Sequence, residues 1–106
     1  MRAIDSINAL DPGIRMAQAG GVTTANIMPG SGNVIGGQTA YVKLRGGTVE
    51  DMLIEADSVL GGLKMANGEN PKRYGQRNKA PMTRMKVAAL QRAEFMKARD
   101  YMRVWQ

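Results

Sequence analysis

The residues best placed to do chemistry are Pro29-Gly30-Ser31-Gly32-Asn33-Val34-Ile35-Gly36-Gly37-Gln38, which hold four of the chain's thirteen glycines directly after a strand-like run. Glycine at such a point lets backbone approach a ligand closely, because no Cβ stands in the way. Two phosphate-binding templates nearly fit. Gly32-Asn33-Val34-Ile35-Gly36-Gly37-Gln38-Thr39 has P-loop spacing, but Gln38 stands where a lysine must reach the phosphates. Gly30-Ser31-Gly32 opens a dinucleotide fingerprint whose third glycine comes one position late, at Gly36. Both templates also need a helix next, so that its first amides face the anion, whereas Ala40-Tyr41-Val42-Lys43-Leu44 reads as strand. Two readings stay open: a compact Ω-type loop whose Ser31 and Asn33 bond their own backbone, and a loop that faces a substrate.

What is missing narrows the chemistry further. With no histidine and no cysteine, the chain lacks the commonest metal ligand and general base, thiolate metal sites, thiol nucleophiles and disulfides. Its nine Asp and Glu form no closely spaced set around a glycine turn, so no cofactor or metal is expected on this chain. Ser31 has no base to activate it. The net charge of +6 raises the question of an anionic partner. Much of that excess lies in Pro71-Lys72-Arg73-Tyr74-Gly75-Gln76-Arg77-Asn78-Lys79 and the flanking Arg84 and Lys86. Lys72, Arg73 and Arg77 are the candidate anion-binding residues, with Tyr74 alone available for stacking. A solvated basic loop is the plainer reading.

The elements that must position these residues are set off by Gly and Pro, and no internal repeat is present. Asp11 caps a short helix with Pro12 at its first position, and Gly20-Gly21 stops it. Val22 to Met28 and Thr39 to Arg45 read as strands, and Gly61 to Ala66 as a third strand or a loop. Val49 to Glu55 reads as a short helix behind Thr48, which has a capping-box partner in Asp51 rather than the preferred Glu. After Ala80-Pro81 the spacing predicts a long helix to about Tyr101, with Met82, Met85, Ala89, Ala93 and Met96 as its core stripe. Glu94 with Lys97 and Asp100 with Arg103 are expected ion pairs along it. No run approaches the ~18 apolar residues of a membrane span, and Asp5 interrupts any signal-peptide core, so a cytoplasmic protein with no membrane partner is expected.

Taken in order, Arg2-Ala3-Ile4-Asp5, Ala19-Gly20-Gly21-Val22-Thr23-Thr24, Pro29 to Gln38, Gly68-Glu69-Asn70-Pro71-Lys72-Arg73 and Thr83-Arg84-Met85 resemble consecutive landmarks of the amidohydrolase superfamily. The branch they are similar to is that of imidazolonepropionase and the prolidase-like metal hydrolases. The resemblance implies an α/β fold: a partial (β/α)8-barrel-like segment with two or three strands, two short helices and one long C-terminal helix. It implies a single domain, residues 1–106, incomplete beside the roughly 250 residues of a full barrel.

Enzymes of that family use divalent metal such as zinc to hydrolyse amide or related C–N bonds, and the resemblance places this segment between their groups of metal ligands. None of those ligands maps to a residue here. The chain is then a noncatalytic fragment, with Ser31, Asn33 and Gln38 as substrate-side polar groups of the parent enzyme. Parallel strands with open edges invite pairing, so a homo-oligomer or a complementary chain is expected. The alternative is a small basic oligomeric binding module for an acidic partner or nucleic acid.

Overall fold

The computed structural model describes residues 1–56, 61–77 and 80–106 and the backbone of Asn78. Contacts gather the chain into two compact units, Met1–Pro29 with Gly37–Lys64, and Gly30–Gly36 with Met65–Gln106.

In the first unit a short 3-10 turn, Ala3–Ser6, precedes helix α1, Pro12–Ala19. Asp11 caps α1 as the sequence indicates: its Oδ1 accepts from the Gly13 N–H at 2.7 Å, and Pro12 gives up no useful donor there. Past the helix, the Val22 N–H donates to the Ala17 carbonyl at 3.0 Å, and Gly21 takes φ +90°, a left-handed value that suits glycine. Strand β1, Thr24–Ile27, enters the ladder discussed below with β3, Ala40–Lys43. Between them lies strand β2, Ile35–Gln38, and after them come helix α2, Val49–Met52, and strand β4, Leu63–Met65.

β1 and β3 pair antiparallel, with Ala25 opposite Val42 and Ile27 opposite Ala40. Along β3 the alternation is clean: Ala40 and Val42 point inward while Tyr41 and Lys43 point out, and the Lys43 ammonium donates to Thr24 Oγ1 at 2.9 Å. Val42, Leu44 and Met52 form the core, with Ile7, Ile14, Ala17, Ala25 and Ile27 packed against them. Thr48 starts α2 by accepting from the Asp51 N–H at 3.2 Å, which carries Met52 into this core at 1% exposure. The helix is shorter than the sequence suggests, because Leu53 leaves it to bridge Val42 and the Ile54 N–H donates to the Tyr41 carbonyl.

In the second unit helices α3, Glu69–Asn78, and α4, Arg84–Val104, pack on each other. The supposed basic loop is thus mostly helix; Lys79 lies outside the described residues. Pro71 sits within the first turn, where its missing N–H costs nothing, and it is fully buried. Gly75 is demanded by packing, since a Cβ there would strike the Pro81 carbonyl. α4 begins three residues later than Pro81, at Arg84, behind the N-cap Thr83, whose hydroxyl accepts from the Lys86 N–H at 3.1 Å.

The predicted core stripe of α4 is corrected. Met82, Met85 and Met96 are exposed, and the inward side carries Val87 at 1% exposure with Leu90 and Gln91 partly buried. At 100° per residue, Val87 and Gln91 lie on nearly the opposite side from Met85, Ala89 and Ala93. The Glu94–Lys97 pair closes at 2.7 Å and Asp100–Arg103 at 4.0 Å.

The mixed α/β class holds, but the described residues have four strands rather than two or three and three short helices rather than two beside the long one, because the second half of the glycine-rich segment is β2 and the basic segment is α3. β2 pairs with β4 in a second two-stranded sheet, and the division between the two units falls within both strands. The described strands make two open two-stranded sheets, and the β1–β3 ladder is antiparallel where a (β/α)8 barrel needs parallel neighbours. No helix of the described residues is long and apolar enough to cross a membrane.

Removing the Met52 side chain by Met52→Ala costs about 2–5 kcal/mol, through lost transfer energy and the cavity left. Gly37→Ala also destabilises by more than ~1 kcal/mol, because Gly37 has φ +120° and a Cβ there collides with the Met1 carbonyl. Gly30→Ala, with open space around it, is the control and stays within about 0.5 kcal/mol. Urea unfolding followed by circular dichroism checks all three.

Candidate functional site

The glycine-rich segment is held by amide side chains. Gln91, on α4, turns its carboxamide to Val34: Nε2 lies 3.3 Å from the Val34 carbonyl, 3.3 Å from the Ala66 carbonyl and 2.5 Å from Asn67 Oδ1. Two amide hydrogens face three acceptors, so one bond is shared or weak, and the Asn67 contact is the shortest. The Val34 carbonyl also receives the Ala66 N–H at 3.1 Å, which fixes this turn of backbone from two sides. Nearby, Asn70 Nδ2 donates to Ser31 Oγ at 2.5 Å.

The glycines explain how these groups reach the loop. The Tyr74 ring lies against Gly32, where an added Cβ would stand 3.1 Å from ring carbons. Glycine therefore lets α3 bring an aromatic ring onto the loop backbone. Gly36 is buried and Asn33 is exposed.

Of the sequence candidates, Ser31 and Asn33 belong to the second unit and Gln38 to the first. Gln38 is exposed, pairs through its backbone with the Met1–Arg2 strand start, and lines an open recess with Arg2, Tyr41 and Glu55. Ser31 is held by an amide donor, which does not withdraw its proton, so the geometry gives it no nucleophile's role. Among the described residues no buried side-chain polar atom lacks a partner.

The basic candidates separate. Lys72 meets Glu69 at 3.1 Å, and Arg84 meets the same carboxylate at 2.8 Å, while Arg73 and Arg77 are exposed one turn apart on α3. Hydrogen bonds from Lys72 and then Arg84 hold the Glu69 carboxyl below the usual carboxylate value. A divalent metal does not fit the side chains present: the chain has no histidine or cysteine, no group of three or more acidic ligands is found among the described residues, and Glu69 is already engaged by two cations.

Gln91, Asn67 and Asn70 were not among the residues singled out from sequence as site residues, and Tyr74 was singled out only for stacking beside the basic residues. One signal was available: apart from Tyr101, Gln91 is the only uncharged polar residue in α4, at a position that apolar periodicity alone leaves unassigned.

With this geometry in view, the comparisons place the chain. No family profile matches it. It is 38% identical, over 96% of its length, to the amidohydrolase tasK of Hapsidospora irregularis. It is 46% identical to an amidohydrolase of Thermotoga maritima of known crystal structure, with a TM-score of 0.87 over 97% of this chain. The chain spans 11% of the first protein and 26% of the second. What it is similar to is a segment of an amidohydrolase, in both sequence and backbone.

Gln91→Leu leaves the Val34 and Ala66 carbonyls and Asn67 without that donor and costs about 1–3 kcal/mol. Hydrogen exchange at the amides of residues 31–36 then speeds up in the variant, while that of the β1–β3 ladder is unchanged. A second expectation concerns pH. Because the folded-state pKa of Glu69 is lowered, its contribution is present above the unfolded value and is lost as pH falls through the lowered one. In thermal unfolding scans from pH 7 to pH 2, Glu69→Gln lowers Tm slightly at neutral pH, the gap closes on acidification, and added salt shrinks it because the carboxylate is exposed.

Proposed function

We propose that the chain is a noncatalytic segment of an amidohydrolase of the imidazolonepropionase-related, prolidase-like branch, whose whole protein hydrolyses amide or related C–N bonds. Gly30–Gly36 supplies backbone and polar groups on the substrate side, with Ser31 and Asn33 the residues involved. The observation that carries this reading is the 46% identity and 0.87 TM-score over 97% of the chain. The residue inventory supports a noncatalytic role: without histidine or cysteine the chain offers no imidazole base and no thiol, and Ser31 is held by an amide donor rather than by a base. Catalytic groups come from elsewhere in the parent enzyme. The physical contribution of this segment is rigidity, because Gln91 and Asn70 fix the loop and keep its polar groups in place.

The test replaces the matching segment of the Thermotoga maritima amidohydrolase with this chain and assays the chimaera on N-acylated amino acids and dipeptides. Metal-dependent hydrolysis is expected, with Ser31→Ala and Asn33→Ala each raising KM several-fold at little cost in kcat. The chain alone is expected to give no turnover with or without added zinc. Turnover by the chain alone, or variants that behave like the parent chimaera, overturns the reading.

A further inference from the structure

We infer that the exposed C-terminal face of α4, formed by Phe95, Ala98, Tyr101, Met102 and Trp105, is the docking surface for the part of an amidohydrolase fold that this chain does not contain. The inference rests on the reading of the chain as an amidohydrolase segment. The inward side of α4 begins with Val87, which is buried, and Gln91, which is bonded. Continuing that side down the helix at spacings of four and three residues leads to Glu94, Ala98, Tyr101 and Trp105, with Phe95 and Met102 beside them. The seam that packs in the first turns is therefore apolar in the last turns too, but there none of the described residues covers it: Tyr101 is 65% exposed and Trp105 75%. Their rings lie 5.8 Å apart between centroids, forming one aromatic patch rather than two isolated side chains. Large aromatics gathered on one helix face are the composition of an interface core.

Two observations choose the occupant. First, the backbone superposes at a TM-score of 0.87 on a chain of which it represents only 26%, so about three quarters of that fold has no counterpart here to bury this face. Second, α4 carries six basic residues, Arg84, Lys86, Arg92, Lys97, Arg99 and Arg103, against Glu94 and Asp100, a net charge of +4. The basic residues lie off the seam, with Arg92, Arg99 and Arg103 on the far side and Lys86 and Lys97 at its flank, so the positive charge opposes a second copy only through the overall repulsion of two basic helices and leaves the patch itself apolar. The occupant is an apolar surface contributed by the remainder of the amidohydrolase fold.

Trp105 is the chain's single tryptophan, so biosynthetic 5-fluorotryptophan gives one fluorine resonance that reports on this face. The chain is co-expressed with a polypeptide comprising the part of the Thermotoga maritima amidohydrolase outside the matched segment, and the complex is isolated. The expected result is a one-to-one complex in which the resonance is displaced from its position in the chain alone, with the chain alone monomeric by light scattering. The double variant Phe95→Glu, Met102→Glu weakens the complex at least tenfold, while Met96→Glu, exposed on the far side of α4, leaves it unchanged. Recovery of the chain without the polypeptide overturns the inference, as does a self-associated dimer that displaces the same resonance. Undiminished binding by the double variant moves the contact to another surface and overturns it too, while leaving the amidohydrolase reading standing. Docking through Trp105 without amide hydrolysis by the complex supports the surface and counts instead against the proposed role of Ser31 and Asn33.

Discussion

The carboxamide of Gln91 is the point on which the second unit turns. A helix, the backbone of the glycine-rich loop and the connection before α3 all meet at its nitrogen, which lies within hydrogen-bonding distance of Val34, Ala66 and Asn67. Partly buried carbonyls cannot be left bare without a cost of kcal/mol size, so the side chain that satisfies them also fixes which side of α4 faces inward. Val87, one turn earlier, follows that orientation into the core. A polar residue thus sets the facing of the longest helix, and the apolar residues accommodate it.

This explains why the methionines mislead. Met82, Met85 and Met96 recur at helical spacing with Ala89 and Ala93 and have every local mark of a core stripe, yet they face outward. Periodicity identifies that a helix exists and that it has two unlike sides; it does not say which side meets the rest of the chain when both carry apolar residues. Here the opposite side holds Phe95, Tyr101 and Trp105 as well as Gln91, so the apolar content of the two sides nearly balances and a hydrogen-bonding group breaks the tie. The basic segment misleads for a related reason. Lys72, Arg73 and Arg77 have the charge of a solvated loop, but Glu69 at the start, Pro71 in the first turn and Gly75 against Pro81 make the same residues a packed helix.

In the first unit, local pattern and tertiary packing agree, and the reading from sequence is correspondingly close. Asp11-Pro12 and Thr48 cap the helices they were expected to cap, Gly20-Gly21 ends α1, and the alternation of β3 puts Ala40 and Val42 inside. The glycine-rich segment divides between these cases. Its first half is a loop, as its composition requires, and Gly32 is needed because the Tyr74 ring lies on it. Its second half, Ile35–Gln38, is a strand although it contains two glycines, because β4 supplies ladder bonds that no local propensity would suggest.

What the sequence by itself determined is the chemistry the chain lacks and the elements whose signals are local. Without histidine or cysteine no thiol, imidazole or thiolate chemistry is open to it, and caps, turns and alternation act within a few residues of one another. The order of its motifs was also enough to find the amidohydrolase resemblance that the later comparisons share. What only the tertiary structure decided is which groups meet across long separations: Gln91 with Val34, Asn70 with Ser31, Tyr74 with Gly32, and β2 with β4. Each depends on partners tens of residues apart whose satisfaction or burial is a property of the folded chain, and nothing in the local sequence encodes such a pairing.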